Sequence, residues 1–180
     1  MALAQQVNYT IDDIYALPDG QRAELIDGQM YMMSPPNTNH QRISYSFARK
    51  VSDYIDRKKG NCEVFLAPFA VFLNQDNVNY VEPDISIICD SKKLDEKGYH
   101  GAPDWVIEIL SPSTIRMDCG IKLFKYRTAG VREYWTVNPK IRTVNVYDFE
   151  HDEKTDQYTF DDEIPVCIYE DLVIRIADLL

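Results

Sequence analysis

The 180-residue chain is acidic, with 19 Lys and Arg against 29 Asp and Glu, a formal net charge of -10 and 45% hydrophobic residues. That length, with 12 Tyr and 7 Phe, is enough to bury one core, so a single domain over residues 1–180 is expected without a disulfide framework or structural metal. No run of about eighteen apolar residues reads as a membrane span, residues 1–8 lack the pattern of a secretion signal, and an acidic surface argues against a general nucleic-acid coat.

The charge is unevenly spread. Residues 111–142 hold seven basic and two acidic residues, a net of +5, whereas residues 143–180 sum to -9. Cys62, Cys89, Cys119 and Cys167 are scattered among apolar residues with no Cys-x-x-Cys pair, so they read as buried thiols of a reduced, cytosolic protein.

Thr10 before Ile11-Asp12-Asp13-Ile14 predicts a helix N-cap with acids in the first turn, and Leu17-Pro18-Asp19-Gly20 its stop. Residues 22–26 and 29–33 flank Asp27-Gly28, which predicts a tight hairpin ended by Ser34-Pro35-Pro36. From His40 to Lys59, Ile43, Phe47, Val51, Tyr54 and Ile55 recur at three- and four-residue steps, the pattern of a long amphipathic helix that Gly60 ends.

Residues 62–66, 70–73, 84–89 and 104–110 are rich in Val, Ile, Phe and Trp and read as central strands. Ser113 or Thr114 can cap a helix running to Ala129 and stopped by Gly130, after which residues 133–137 and 143–149 resume a strand pattern. The acidic remainder reads as turns, with one edge element over residues 172–180. The expected class is α+β, with helices on a mixed β-sheet.

Two strand-borne acids carry the chemical signal. Asp84 opens one strand, and in Trp105-Val106-Ile107-Glu108-Ile109-Leu110 alternation puts Glu108 on one face with Val106 and Leu110. A carboxylate among apolar neighbours is costly without a compensating cation or donor. A structural pairing with arginine would meet that need. So would a hard divalent cation, which takes oxygen ligands and, for Mg²⁺, often only one or two carboxylates.

On the following helix, about 100° per residue makes Ile115, Cys119, Leu123 and Tyr126 the inner stripe. Lys122 lies at its edge, able to reach the sheet, and Lys125 about 60° further toward solvent, placed to meet a phosphate. A snorkelling surface lysine is the plainer reading of Lys122 taken alone.

Val81-Glu82-Pro83-Asp84, then Glu108-Ile109-Leu110-Ser111-Pro112-Ser113-Thr114, then Asp118 to Lys122 and Tyr126-Arg127-Thr128-Ala129-Gly130-Val131-Arg132-Glu133-Tyr134-Trp135 resemble the bacterial "putative restriction endonuclease" family of the PD-(D/E)xK nuclease superfamily. The likeness runs over about residues 11–147 and takes in Glu24-Leu25-Ile26-Asp27-Gly28 and the segment from Pro35 to His40.

The resemblance implies a restriction-endonuclease-like mixed β-sheet flanked by helices. It further implies an Mg²⁺-dependent endodeoxyribonuclease, with Mn²⁺ a substitute, in which Asp84 and Glu108 hold metal and a lysine stands beside the attacking water. Leu110 occupies the place where the superfamily pattern puts that lysine, and Lys122 would supply the amine from the next helix.

Glu24 is similar to an additional acid of such nucleases, or else a polar strand residue beside a turn. His40 is either a substrate contact or proton donor, or a solvated helix-start histidine. Arg116, Lys125 and Arg127 would position DNA, and a homodimer suits double-strand cutting.

Two rival readings stand beside the nuclease. One is a noncatalytic DNA- or protein-binding regulatory module on the same scaffold. The other is a carboxylate-pair glycosidase, with Glu108 as acid and Asp84 as partner. His100 and His151 read as loop residues. Zinc spacing, a Gly-x-x-x-x-Gly-Lys loop and a Gly-x-Ser-x-Gly elbow are all absent from the sequence.

Overall fold

The computed structural model describes residues 8–151 and 154–180; the secretion-signal reading of the first residues falls largely outside that span. Thr10 N–H donates to Asp13 Oδ2 at 2.7 Å, opening helix α1, Ile11–Tyr15. Strands β1 (Ala23–Ile26) and β2 (Gln29–Met32) form the expected antiparallel hairpin. Asp27 and Gly28 take the positive φ values of 50° and 74° that its two-residue turn requires.

Helix α2 (Thr38–Lys58) starts slightly earlier than the apolar spacing predicts, because Asn37 caps it by accepting the His40 N–H at 2.9 Å. At its far end Lys59, rather than Gly60, adopts the left-handed conformation, at φ 53°. Ile43, Phe47, Val51, Tyr54 and Ile55 are all buried, as their spacing predicts.

Six strands form the main sheet: β3 (Glu63–Leu66), β4 (Ile85–Ile88), β7 (Trp105–Ile109), β8 (Glu133–Asn138), β9 (Thr143–Asp148) and β10 (Lys154–Thr159). Their spatial order is β10-β9-β8-β7-β4-β3, with β7 and β8 parallel and every other pair antiparallel. Two short pairs lie outside it: β5 (Leu94–Asp95) with β6 (Gly98–Tyr99), and β11 (Ile164–Pro165) with β12 (Val173–Ile174). The expected α+β class with a mixed sheet is what the chain adopts.

Alternation gives the sheet two buried faces. Ile85, Ile87, Trp105, Ile107, Ile109 and Trp135 pack with α2 in one core cluster, while Val106 and Tyr134 pack with Tyr126 in another. Burial on both sides explains why β4, β7 and β8 are such continuous apolar runs.

Several expectations are corrected. Residues 70–73 make isolated bridges from Val71 to Val81 and Tyr99 in place of a strand, and β3 is an edge strand rather than a central one. Residues 172–180 form no edge of the main sheet; Leu172, Ile174 and Ile176 instead cover the α2 side of the core.

The predicted helix over residues 113–129 becomes a turn at Ser111–Thr114, a π-helical segment Met117–Lys122, and helix α3, Leu123–Ala129. Gly130 closes it at φ 98°. Cys62 and Cys89 are joined by a disulfide, contrary to the expectation of four reduced thiols. Continuing the β3/β4 register one position beyond Glu63↔Ile88 sets these two cysteines opposite each other. The bond removes the ground on which a reducing, cytosolic compartment was expected.

Candidate active site

The β4/β7 pairing runs Ile85↔Ile107, Ser86↔Val106 and Ile87↔Trp105, and its next step sets Asp84 opposite Glu108. The two ends are laced together: Asp84 N–H donates to Glu108 Oε2 at 3.2 Å, and Ile109 N–H to Asp84 Oδ2 at 2.7 Å. Two acids far apart in sequence thus meet through strand register alone.

The hairpin delivers a third acid. Leu25 and Tyr80 exchange backbone hydrogen bonds of 2.7 and 2.8 Å, which dock β1 beside the approach to Asp84. Glu24, a strand residue beside the Asp27-Gly28 turn, is therefore only 4% exposed and accepts the Glu82 N–H at 2.9 Å. Arg22 in turn holds Glu82, donating from Nε at 2.8 Å.

Lys122 reaches into this group from the π-helical segment. Its Nζ lies 2.8 Å from Glu24 Oε2, 2.9 Å from Glu108 Oε1 and 3.6 Å from Asp118 Oδ1, and the residue is only 4% exposed. It is no snorkelling surface lysine. Burial works to lower its pKa, but Glu108, Glu24 and Asp118 outweigh that and hold it well above the ordinary lysine value.

Sequence reasoning missed Asp118 and Tyr126 as members of this cluster. Asp118 is buried, and Tyr126, read as a core residue, donates its phenol hydrogen to Glu108 Oε1 at 2.8 Å. The i, i+4, i+8 spacing of Asp118, Lys122 and Tyr126 was the available signal. A π-helical turn, with i→i+5 hydrogen bonds, takes more residues than 3.6 and keeps such residues on one face.

The same widening explains two further corrections. Ile115, expected on the inner stripe, is 38% exposed, and Lys125, expected toward solvent, is 8% exposed and paired with Asp27. Arg116 remains at the surface, as does Arg127. His40 is no solvated histidine: its Nε2 lies 2.9 Å from Asp84 Oδ2. Burial pulls its pKa down, yet the hydrogen bond and charge of Asp84 leave it raised.

The electrostatics are lopsided. Four carboxylates, Glu24, Asp84, Glu108 and Asp118, crowd around one lysine and one histidine. Desolvation, opposed by Lys122 and reinforced by the other acids, raises the Glu108 pKa well above the usual carboxylate range, and burial raises Asp118 as well.

Among the described residues no group of three or more His, Cys, Asp or Glu is arranged to hold a metal ion by itself. A hard cation that keeps water and phosphate oxygens needs only one or two carboxylates. The oxygen donors of Asp84 and Glu108, set in an excess of negative charge, fit that requirement.

The chain is thus an α+β protein whose mixed six-stranded sheet carries an acid pair at the β4/β7 junction. A crystal structure described as a putative nuclease belonging to DUF820 from Anabaena variabilis ATCC 29413 superposes with a TM-score of 0.77, covering 94% of this chain and 96% of that one at 24% identity, and so shares the fold. Residues 11–174 match the family model Uma2, described as "Putative restriction endonuclease", and the chain belongs to that family. It is also 28% identical over 128 residues to the uncharacterized protein slr1290 of Synechocystis sp. (strain ATCC 27184 / PCC 6803 / Kazusa); the match spans 71% of this chain and 66% of that relative, just under two thirds of its length.

Proposed function

We propose that the chain is a divalent-metal-dependent endodeoxyribonuclease, acting as a single domain over residues 1–180. The observation that carries the reading is the placement of Asp84 and Glu108 opposite each other across β4 and β7, with Lys122 Nζ 2.9 Å from Glu108. Family membership supports it.

Asp84 and Glu108 would hold the cation. Once bound, Mg²⁺ or Mn²⁺ supplies Lewis-acid activation of the scissile phosphate and of the attacking water. Lys122 provides fixed positive charge where negative charge develops on the phosphoryl oxygens. Glu24 and Asp118 keep that ammonium in place, and His40 restrains Asp84. Arg116, exposed at the entry to the π-helical segment, would meet the DNA backbone.

Cutting both strands of a duplex calls for two such sites, so the reading includes a homodimer. For the membrane, no described helix is long and apolar enough to cross one. The glycosidase alternative leaves Lys122, the best-held cation of the cluster, without a task.

The test is cleavage of supercoiled, linear, single-stranded and branched DNA with Mg²⁺ or Mn²⁺ by wild type and by Asp84→Ala, Glu108→Ala and Lys122→Ala, each checked for folding. Loss of cleavage in all three variants is expected. A wild type that cuts no substrate and binds no metal would replace this reading with the noncatalytic module.

A further inference from the structure

Glu108 has two oxygens in unlike surroundings. Oε1 accepts from Lys122 Nζ at 2.9 Å and from the Tyr126 hydroxyl at 2.8 Å, whereas among the described residues Oε2 accepts only the longer 3.2 Å hydrogen bond from Asp84 N–H. Each carboxylate oxygen has about two acceptor positions. Oε1 is therefore filled, and Oε2, the oxygen turned toward Asp84, keeps capacity for another partner.

Lys122 alone does not select between the two oxygens. Its ammonium is a compact charge with rotatable donors, and it is shared among Glu24, Glu108 and Asp118. The terminal torsion of a glutamate is broad and roughly two-fold, so the carboxylate can turn about it unless a directional donor holds one oxygen.

Tyr126 has the fixed geometry such a donor needs. Its ring is fully buried and lies against Tyr134 with centroids 5.0 Å apart at 60°. The Tyr134 hydroxyl donates to the Asp118 carbonyl at 2.9 Å, tying the ring pair to the π-helical segment that carries Lys122.

We infer that Tyr126 is a positioning residue: its hydroxyl commits Glu108 Oε1 inward and leaves Oε2 beside Asp84 for a divalent cation. The inference rests on the reading of Asp84 and Glu108 as metal ligands and extends it to the group that orients one of them. Donors of this kind typically change metal affinity by about 10–100-fold when removed.

The experiment is calorimetric titration of the full chain with Mn²⁺ alone, without DNA, on wild type, Tyr126→Phe, Tyr54→Phe and Asp84→Ala, with the electron paramagnetic resonance spectrum of bound Mn²⁺ as a second readout. Tyr126→Phe keeps the ring and is expected to weaken Mn²⁺ binding by about 10–100-fold and to alter the spectrum. Tyr54→Phe removes a largely buried hydroxyl that donates to Asp171 and does not touch Glu108, and is expected to lower thermal stability while leaving affinity and spectrum unchanged.

Wild-type affinity in Tyr126→Phe, or equal weakening in both tyrosine variants, would overturn the positioning role while the metal reading stands. A wild type that binds no Mn²⁺, or an Asp84→Ala variant that binds it as well as wild type does, would overturn the metal reading and the inference with it.

Discussion

Lys122 and Glu24 meet at 2.8 Å, joining the crossover between β7 and β8 to the N-terminal hairpin. Because both are buried with Glu108 and Asp118 alongside, removing the ammonium leaves three carboxylates without their shared counter-charge. Lys122→Met is expected to destabilise the metal-free chain by about 3–5 kcal/mol. Urea unfolding measures this, and adding Glu108→Gln to the same chain should recover part of the loss. Additive losses in the double variant would contradict the coupling.

Arg116 and Lys125 should part company in DNA binding. Arg116→Ala is predicted to weaken affinity and lower the salt-dependence slope by about one. Lys125 is engaged with Asp27, itself largely exposed, so Lys125→Ala should leave DNA affinity unchanged and cost about 0–1 kcal/mol of stability. Salt-dependent fluorescence anisotropy separates the two; equal effects would restore Lys125 as a phosphate contact.

Glu133 gives a pH signature away from the site. Its carboxylate is wholly buried and accepts from Trp135 Nε1 at 2.5 Å and Ile168 N–H at 3.0 Å. Burial raises its pKa, with those hydrogen bonds opposing. Since the folded pKa lies above the unfolded one, the folded state binds the proton more tightly. The group's contribution is fully present below the unfolded value and is lost as pH rises through the folded value. Stability measured by urea titration is expected to fall over that window, and Glu133→Gln to flatten the fall. An identical pH profile in the variant would remove Glu133 as its source.

The strands were legible in the sequence where they are buried on both faces: β4, β7 and β8 are apolar runs rich in Val, Ile and aromatic residues. The edge strand β10 was not legible, because Lys154-Thr155-Asp156-Gln157-Tyr158-Thr159 is largely exposed and offers no apolar alternation. Asp84, Glu108 and Lys122 were found through strand alternation and family resemblance. Asp118 and Tyr126 were not, since an aromatic on the inner stripe reads as core packing and the burial of Asp118 follows from the π-helical segment that carries it.

The Cys62–Cys89 pairing left no spacing signal of the Cys-x-x-Cys kind; only the mirrored positions of the two cysteines, flanking strands that pair antiparallel, foretold it. With a sequence separation of 27, breaking the bond should cost about 3–4 kcal/mol on a loop-entropy estimate. Cys62→Ser and reductant-treated wild type should unfold at the same lowered urea midpoint. A midpoint indifferent to reductant would show that the bond contributes nothing.

The loop closed by that bond contains Asp84 and the exposed turn at Asn74, Gln75 and Asn77. A protease that cuts in this turn therefore severs the main chain without severing the molecule: the piece bearing Glu24 and His40 stays covalently attached to the piece bearing Asp84, Glu108 and Lys122. On a denaturing gel the nicked protein should run as one species until a thiol reagent is added, and then as two.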